Sequence, residues 1–291
     1  MRGQPAKGRC RASGAEHERD VRIGRGGGIE LKVVVKIGGA ALDDELVLRK
    51  CAHAIVQLAG DGHHIAVVHG GGGALTRTLQ RMGKESEFVN GLRVTDAETR
   101  DMALMVLAGM VNKKLVAAIG AAGKSAIGLC GGDGTSFRAR KKQTNGRDLG
   151  YVGEICAVES RWIEAIWAQG GIPVIASLAV GALGEYYNVN ADQMAAACAI
   201  ACHASALIFL TDVPGVKDAD GTVIRWLDLN QIATLVESSV IKGGMLPKLE
   251  ACRHALSKGV GRVRILPAAQ AEVLPEFYFA KLQVGTEVRV A

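Results

Sequence analysis

Aromatic residues are scarce: three Trp, four Tyr and five Phe make up 4% of the 291 residues. A sandwich built on large rings is therefore unsupported. With 48% hydrophobic residues and 38 glycines, the composition suits close helix-on-sheet packing. No basic face with interleaved aromatics stands out, which leaves nucleic-acid binding without support. A Walker A loop is also missing. The stretch "GAAGKS", 120 to 125, has Ala118 where the first glycine would fall, and it follows a helix instead of a strand. Gly123 reads as a helix C-cap. No G-x-G-x-x-G follows a strand, which argues against a dinucleotide fold. The seven cysteines are odd in number and scattered through apolar segments. Cys198, Cys202 and His203 have no matching second pair, so the expectation is reduced, mostly buried thiols in a cytoplasmic protein with no protein-held metal. No apolar run has the length of a secretory signal or of a membrane span, so no membrane association is expected. Repeats and long linkers are absent as well.

Charge is present but unevenly placed. Residues 1 to 28 hold seven Lys/Arg against three acids, and the rest of the chain holds 28 bases against 26 acids. The basic balance therefore belongs to a segment without apolar periodicity, which reads as a disordered leader. The body is nearly neutral, and its length suits one large α/β domain or two small ones.

From residue 31 onward the pattern alternates strand and helix. "LKVVVK" and "HIAVVH" are continuous, β-branched runs bounded by glycine, the mark of buried strands. "SAIGLC", "IPVIAS", "ALIFLTD", "RVRIL" and a short segment near 285 to 290 complete the strands. Helices are predicted from Asp43 or Asp44 to about Ala59, from the "GGGG" run to about Met82, and from "TDAE" to about Ala122. Further helices fall at 160 to 169, 191 to 203, 228 to 237 and 245 to 258. In "TDAE", Thr95 is the expected N-cap and Glu98 its reciprocal partner. Residues 133 to 154 read as hairpins, and 178 to 188 as a short insert ahead of "NVNADQ". Strands separated by helices imply a mainly parallel sheet covered on both faces, with ligands at the carboxyl ends of its strands.

The unusual residues gather at those ends. Lys36 closes a strand that should be buried, where an ammonium is costly unless an anion meets it; the alternative is a lysine that snorkels to the surface. Four glycines after "VVH" let backbone N–H groups converge on an anion. His69, beside them, reads as structural. "NVNAD" places Asn188, Asn190 and Asp192 at a helix start, an arrangement that capping alone could explain. "KGGMLPKLEA" puts Lys248 in the first turn of a helix, where the dipole disfavours a cation unless a phosphate or carboxylate faces it.

"KIGGAAL", "VVHGGGGALT", "NGLRVTD", "NVNAD", "TDVPGV" and "KGGMLPKLEA", in this order and spacing, resemble the amino acid kinase family over residues 31 to 291. The resemblance implies an α/β fold, a three-layer αβα sandwich around a mainly parallel, roughly eight-stranded sheet. It implies an amino-terminal lobe, 29 to 187, for the acyl amino acid and for dimerisation, and a nucleotide-binding lobe, 188 to 291. Within the family, the motifs look most like the branch that moves the γ-phosphoryl group of ATP, with Mg2+, onto the side-chain carboxylate of N-acetyl-L-glutamate in arginine biosynthesis.

Residue roles implied by the resemblance follow motif by motif. Lys36 and Lys248 would neutralise the transferring phosphoryl group, and Asp192 would orient both. Gly38, Gly39, Gly71 and Gly72 would offer N–H groups to phosphoryl oxygens and substrate. Arg93 would clamp the substrate's α-carboxylate bidentately, and Asn188 would bind substrate too. Thr211, Asp212, Gly215, Lys217, Gly243, Gly244 and Met245 match the nucleotide-binding segments. A homodimer is expected. Two other readings stay open: a kinase for carrier-protein-bound 2-aminoadipate, and a non-catalytic amino-acid sensor on the same fold.

Overall fold

The computed structural model describes residues 30–144, 147–238, 241, 243–276 and 283–290. The basic segment 1 to 28 lies outside them. Eight strands form one sheet: β1 (Lys32–Ile37), β2 (His64–His69), β5 (Ala126–Leu129), β8 (Ile172–Ala176), β11 (Ala206–Thr211), β12 (Trp226–Asp228), β13 (Arg262–Pro267) and β14 (Thr286–Arg289). Their order is β12-β14-β13-β11-β1-β2-β8-β5. Among the described pairs of this sheet, only β13–β14 is antiparallel. The β1–β11 pairing is the seam: strands from before residue 188 lie on one side of it and strands from after it on the other.

β1 shows how the sheet feeds two cores. Alternate residues of a strand point to opposite faces. Val33, Val35 and Ile37 enter one core with Leu58, Leu79 and Leu115. Val34 enters the other, with Val68, Phe209 and Cys198. Lys36 shares the parity of Val34 and so emerges on that second face, level with Val68 and Phe209 in the neighbouring strands.

Helices cover both faces. α1 (Gly39–Asp43) and α2 (Glu45–Gly60) follow β1, and Asp44 caps α2 by accepting from the N–H groups of Leu46 (2.9 Å) and Val47 (3.1 Å). α3 (Gly72–Arg81) follows the glycine run. A two-residue hairpin, β3 (Phe88–Val89) with β4 (Leu92–Arg93), leads into α4 (Ala97–Ala121). On the second face lie α5 (Arg161–Ala168), α6 (Ala191–Ala201), α7 (Leu229–Glu237) and α8 (Met245–Ser257). Four short strands, β6 (Phe137–Lys141), β7 (Val152–Val158), β9 (Leu178–Val180) and β10 (Tyr186–Val189), close on themselves as a small barrel.

Three expectations change. The cap of α4 is Asp96, one residue later than Thr95, and it accepts from the Thr99 N–H at 2.8 Å. The Thr95 hydroxyl instead donates to the Arg93 carbonyl (2.8 Å), and Glu98 meets Lys84 (2.7 Å) instead of reaching back. Residues 178 to 188 are two strands of the barrel, not an insert. The third change concerns α4. It is long and apolar enough to cross a membrane by length and composition alone, with mean hydropathy 1.6. A reading by uninterrupted run stops at Asn112–Lys114, whereas averaged hydropathy does not. In the fold, 44% of that window is buried, and Val106, Leu107, Val111, Leu115 and Ile119 sit in the first core. Its middle, Leu104–Val111, is π-helical. The six described cysteines are free thiols, all buried except Cys156.

Candidate active site

Two strand ends and two helix starts converge at the carboxyl edge of the sheet. Lys36, at the end of β1, reaches Asp192 Oδ1 at 2.8 Å. Asp192 sits in the first turn of α6, whose start is fixed by Asn190: its side chain accepts from the N–H groups of Asp192 (2.9 Å) and Gln193 (3.1 Å). Lys248, in the first turn of α8, donates to both carboxylate oxygens of Asp192, at 3.0 and 3.1 Å. Its ammonium also stands 5.0 Å from the centre of the Phe209 ring.

All three groups are buried: Lys36 is 8% exposed, Asp192 6% and Lys248 5%. The snorkelling alternative for Lys36 is therefore excluded. Burial alone would raise the Asp192 pKa, but Lys36 and Lys248 outweigh it and hold the carboxyl below its ordinary value. Burial, helped by the charge of Lys36, holds Lys248 below the ordinary lysine value despite Asp192. Two ammonium groups share one carboxylate, so the cluster carries excess positive charge that is largely shielded from water. Such a charge favours an anion that joins it.

A cleft of about 220 Å³ opens beside the cluster. Lys36, Gly39, Gly71, Gly72, Arg93, Asn188 and Asp192 line it, so these predicted residues meet in one place. Gly39 and Gly72 are the first residues of α1 and α3, where N–H groups lack intrahelical acceptors. The two loops face each other: a Cβ on Gly39 would stand 3.5 Å from the Gly72 nitrogen and 3.6 Å from that of Gly71. Gly71 has φ +145°, and a Cβ there would meet Leu107 at 2.7 Å, so glycine is required twice over.

Two details differ from the sequence reading. The Gly38 N–H already donates to the Leu210 carbonyl at 2.9 Å, so it ties β1 to β11 and is not free for a ligand; Gly39 is the glycine of "KIGG" that faces the cleft. Arg93 is 6% exposed and heavily engaged. Its Nη2 donates to the Gly72 carbonyl (3.0 Å) and to Thr76 Oγ1 (2.7 Å), its Nη1 donates to Ser86 Oγ, and its guanidinium lies 4.6 Å from the Phe88 ring centre. With both Nη2 protons taken, a bidentate clamp on a carboxylate requires the ligand to replace Thr76 or the Gly72 carbonyl.

The predicted nucleotide-binding residues stand apart from this cleft. Thr211 ends β11, next to Gly38, and its hydroxyl donates to Asp212 Oδ1 at 3.1 Å. Gly215 has φ +150°, and Lys217 bridges to Val223 in the following turn. Gly243 has φ +61°, Gly244 is the N-cap of α8, and Met245 is its first residue. Sequence reasoning missed Ser177, Phe88 and Leu107, which also line the cleft. Ser177 was recoverable, because it ends the "IPVIAS" strand. Phe88 and Leu107 carry no local signal.

Among the described residues, no group of three or more His, Cys, Asp or Glu gathers for a metal. The one carboxylate of the cluster is already taken by two ammonium groups, so these donors do not fit a resident metal ion.

Residues 32–267 match the model of the amino acid kinase family, and the chain belongs to that family. Within it, the chain is similar to acetylglutamate kinases. The chain is 63% identical to that of Acidobacterium capsulatum, over 89% of this chain and 99% of the relative. It is 57% identical to that of Koribacter versatilis, over 89% and 98%. Among solved structures, the N-acetylglutamate synthase of Neisseria gonorrhoeae complexed with coenzyme A and N-acetyl-glutamate superposes with a TM-score of 0.80 at 26% identity, over 90% of this chain and 60% of that one.

Proposed function

We infer that this kinase transfers the γ-phosphoryl group of ATP to the side-chain carboxylate of N-acetyl-L-glutamate, yielding N-acetyl-L-glutamyl 5-phosphate and ADP in arginine biosynthesis. The observation that carries the reading is the buried pair of lysines on Asp192 beside a glycine-lined cleft. A carboxylate is already nucleophilic near neutral pH, so the reaction needs no general base. It needs in-line positioning and neutralisation of charge on the phosphoryl oxygens. Lys36 and Lys248 are suited to the second task, and Asp192 to holding them in place. The amides of Gly39, Gly71 and Gly72 add neutral donors. Arg93 and Asn188 would hold N-acetyl-L-glutamate, and the loops at Thr211–Lys217 and Gly243–Met245 would hold the nucleotide. Mg2+ would arrive as MgATP, as part of the substrate.

The two halves of the sheet agree with an acyl-amino-acid lobe up to residue 187 and a nucleotide lobe after it. A cytoplasmic homodimer is the assembly we propose: Met105 and Met110 on α4 and Ile127 on the edge strand β5 are about half exposed, an apolar face that a second copy could cover. No feature favours aminoadipate or a non-catalytic sensor.

Acyl phosphate trapped as its hydroxamate, with MgATP and N-acetyl-L-glutamate supplied, should accumulate well above controls with glutamate or N-acetylaspartate. Equal signal in all three would overturn the assignment. Arg93→Lys tests the substrate side. It removes a planar group that touches Gly72, Thr76, Ser86 and Phe88 at once. The KM for N-acetyl-L-glutamate should rise about 10- to 100-fold, the value of a charged hydrogen bond, with a smaller change in kcat. Unchanged KM would move Arg93 out of the substrate site.

A further inference from the structure

His69 ends β2 immediately before the glycine run and has no exposed surface. Its Nδ1 lies 2.8 Å from the Gly70 carbonyl oxygen, and its Nε2 lies 3.0 Å from Asn112 Nδ2. Asn112 is equally buried and follows the π-helical segment of α4. Its amide orientation is set by its neighbours. Nδ2 also faces the Val174 carbonyl (2.9 Å), which can only accept, and Oδ1 faces the Lys113 ammonium (3.3 Å), which can only donate. The amide nitrogen must therefore donate to Nε2, and the remaining imidazole proton sits on Nδ1, directed at Gly70. Burial, with a contribution from the charge of Lys36, keeps the ring neutral by pulling its pKa to about 4, against the opposing bond to Gly70.

The surroundings are built for this amide. A Cβ on Gly128 would stand 1.8 Å from Asn112 Oδ1, so only glycine at that strand position leaves room. On its other side the glycine run is pressed by the same helical stretch: Leu107 and Val111 would stand 2.7 and 3.3 Å from a Cβ on Gly71. The Gly70–Gly72 loop is thus fixed by side chains from one segment of α4, by packing at Gly71 and through His69 at the Gly70 carbonyl. Neither His69 nor Asn112 touches the cleft.

We propose that His69 and Asn112 are positioning residues for phosphoryl transfer: Asn112 selects the Nδ1–H tautomer of His69, and that N–H anchors the Gly70 carbonyl so that the N–H groups of Gly71 and Gly72 face Gly39 across the cleft. The proposal rests on the reading of this cleft as the phosphoryl-transfer site. Its effect falls on the reaction step, because loop amides that miss the phosphoryl oxygens by a fraction of an ångström lose most of their value.

The test joins a spectroscopic readout, independent of activity, to kinetics. Histidine ¹⁵N–¹H correlation spectra of the full chain at neutral pH should show His69, assigned by its loss in His69→Asn, protonated on Nδ1 and bare on Nε2. Asn112→Leu should abolish that preference. His69→Leu should lower kcat about 100-fold, with KM for N-acetyl-L-glutamate changed by less than about 3-fold. His69→Asn, whose side-chain N–H lies where Nδ1–H lies in the imidazole, should recover activity to within about 10-fold of the parent. An Nε2–H tautomer overturns the proposal. So does a His69→Leu enzyme with parental kcat, or equal losses in His69→Leu and His69→Asn. If melting shows that His69→Leu does not fold, the tautomer and the His69→Asn kinetics decide. A parent chain that forms no acyl phosphate sinks the functional reading, while the spectra still decide the hydrogen bonding of His69.

Discussion

Lys248→Met is expected to lower kcat by about 10²- to 10³-fold, the loss typical of one preorganised charge-stabilising donor, without lowering the melting temperature. Both halves follow from the geometry of the cluster. Methionine keeps an unbranched stem over the Phe209 ring, where the ammonium now lies at 5.0 Å, so packing is preserved. The 2.8 Å bridge between Lys36 and Asp192 remains, and no carboxylate is left unpaired. What disappears is a cation that the fold tolerates poorly, since burial and Lys36 both pull its pKa down. The variant should therefore melt at or above the parental temperature. The catalytic loss has a different origin. Charge builds on the leaving oxygen as the transition state is approached, so removing a buried cation that stabilises it affects kcat more than KM. Steady-state kinetics with both substrates, alongside thermal melting, separate the two effects. A rise in KM alone would reassign Lys248 to ground-state nucleotide binding. A collapse in melting temperature would show that the second lysine holds the fold together.

How much of this was legible in the chain depends on whether the information is local. The continuous runs at 32 to 37, 64 to 69 and 206 to 211 read as buried strands by their shortness, β-branching and flanking residues, and they form the centre of the sheet. Lys36 and Lys248 were conspicuous because each sits where elementary electrostatics disfavours a cation. Asp192 was less visible, since an acid in the first turn of a helix has an ordinary explanation, and its bond to Lys248 spans 56 residues. The small barrel was hidden because β9 and β10 are too short to show a period; β6 and β7 read as a hairpin, but their closure through β9 and β10 depends on tertiary pairing. The π-helical turn lay inside an otherwise regular helical pattern. Gly38 was misread because its N–H is taken by Leu210, a bond set by the register of two strands far apart in sequence. Thr95 and Asp96 are both competent caps, and only the geometry of the entering chain selects the second.

Asp192→Asn is expected to do the opposite of Lys248→Met in stability and the same in activity. Asparagine is nearly isosteric, so packing survives, but Lys36 and Lys248 are left facing each other with no anion between them. Removing one partner of a buried ion pair costs about 3–5 kcal/mol, and here two cations lose the same partner. The melting temperature should fall accordingly. Acid dependence provides a check on the cause. In the parent the Asp192 pKa lies below its ordinary value, so its stabilisation is complete above the unfolded carboxyl pKa of about 4 and is lost as pH falls through the lower, folded value. Parent and variant should therefore converge in stability as the carboxylate of the parent takes up its proton, and lie furthest apart near neutrality. Activity should drop at least as far as in Lys248→Met, because both lysines lose the group that aims them. Phosphate can partly stand in for the missing carboxylate. Added ATP should raise the melting temperature of Asp192→Asn by more than it raises that of the parent, since ligand binding to the folded state stabilises in proportion to its affinity there and the variant offers two uncompensated cations. An ATP-induced shift no larger than the parental one would mean that the lysine pair does not meet the nucleotide's phosphates, and the assignment of Lys36 and Lys248 to phosphoryl transfer would fall with it.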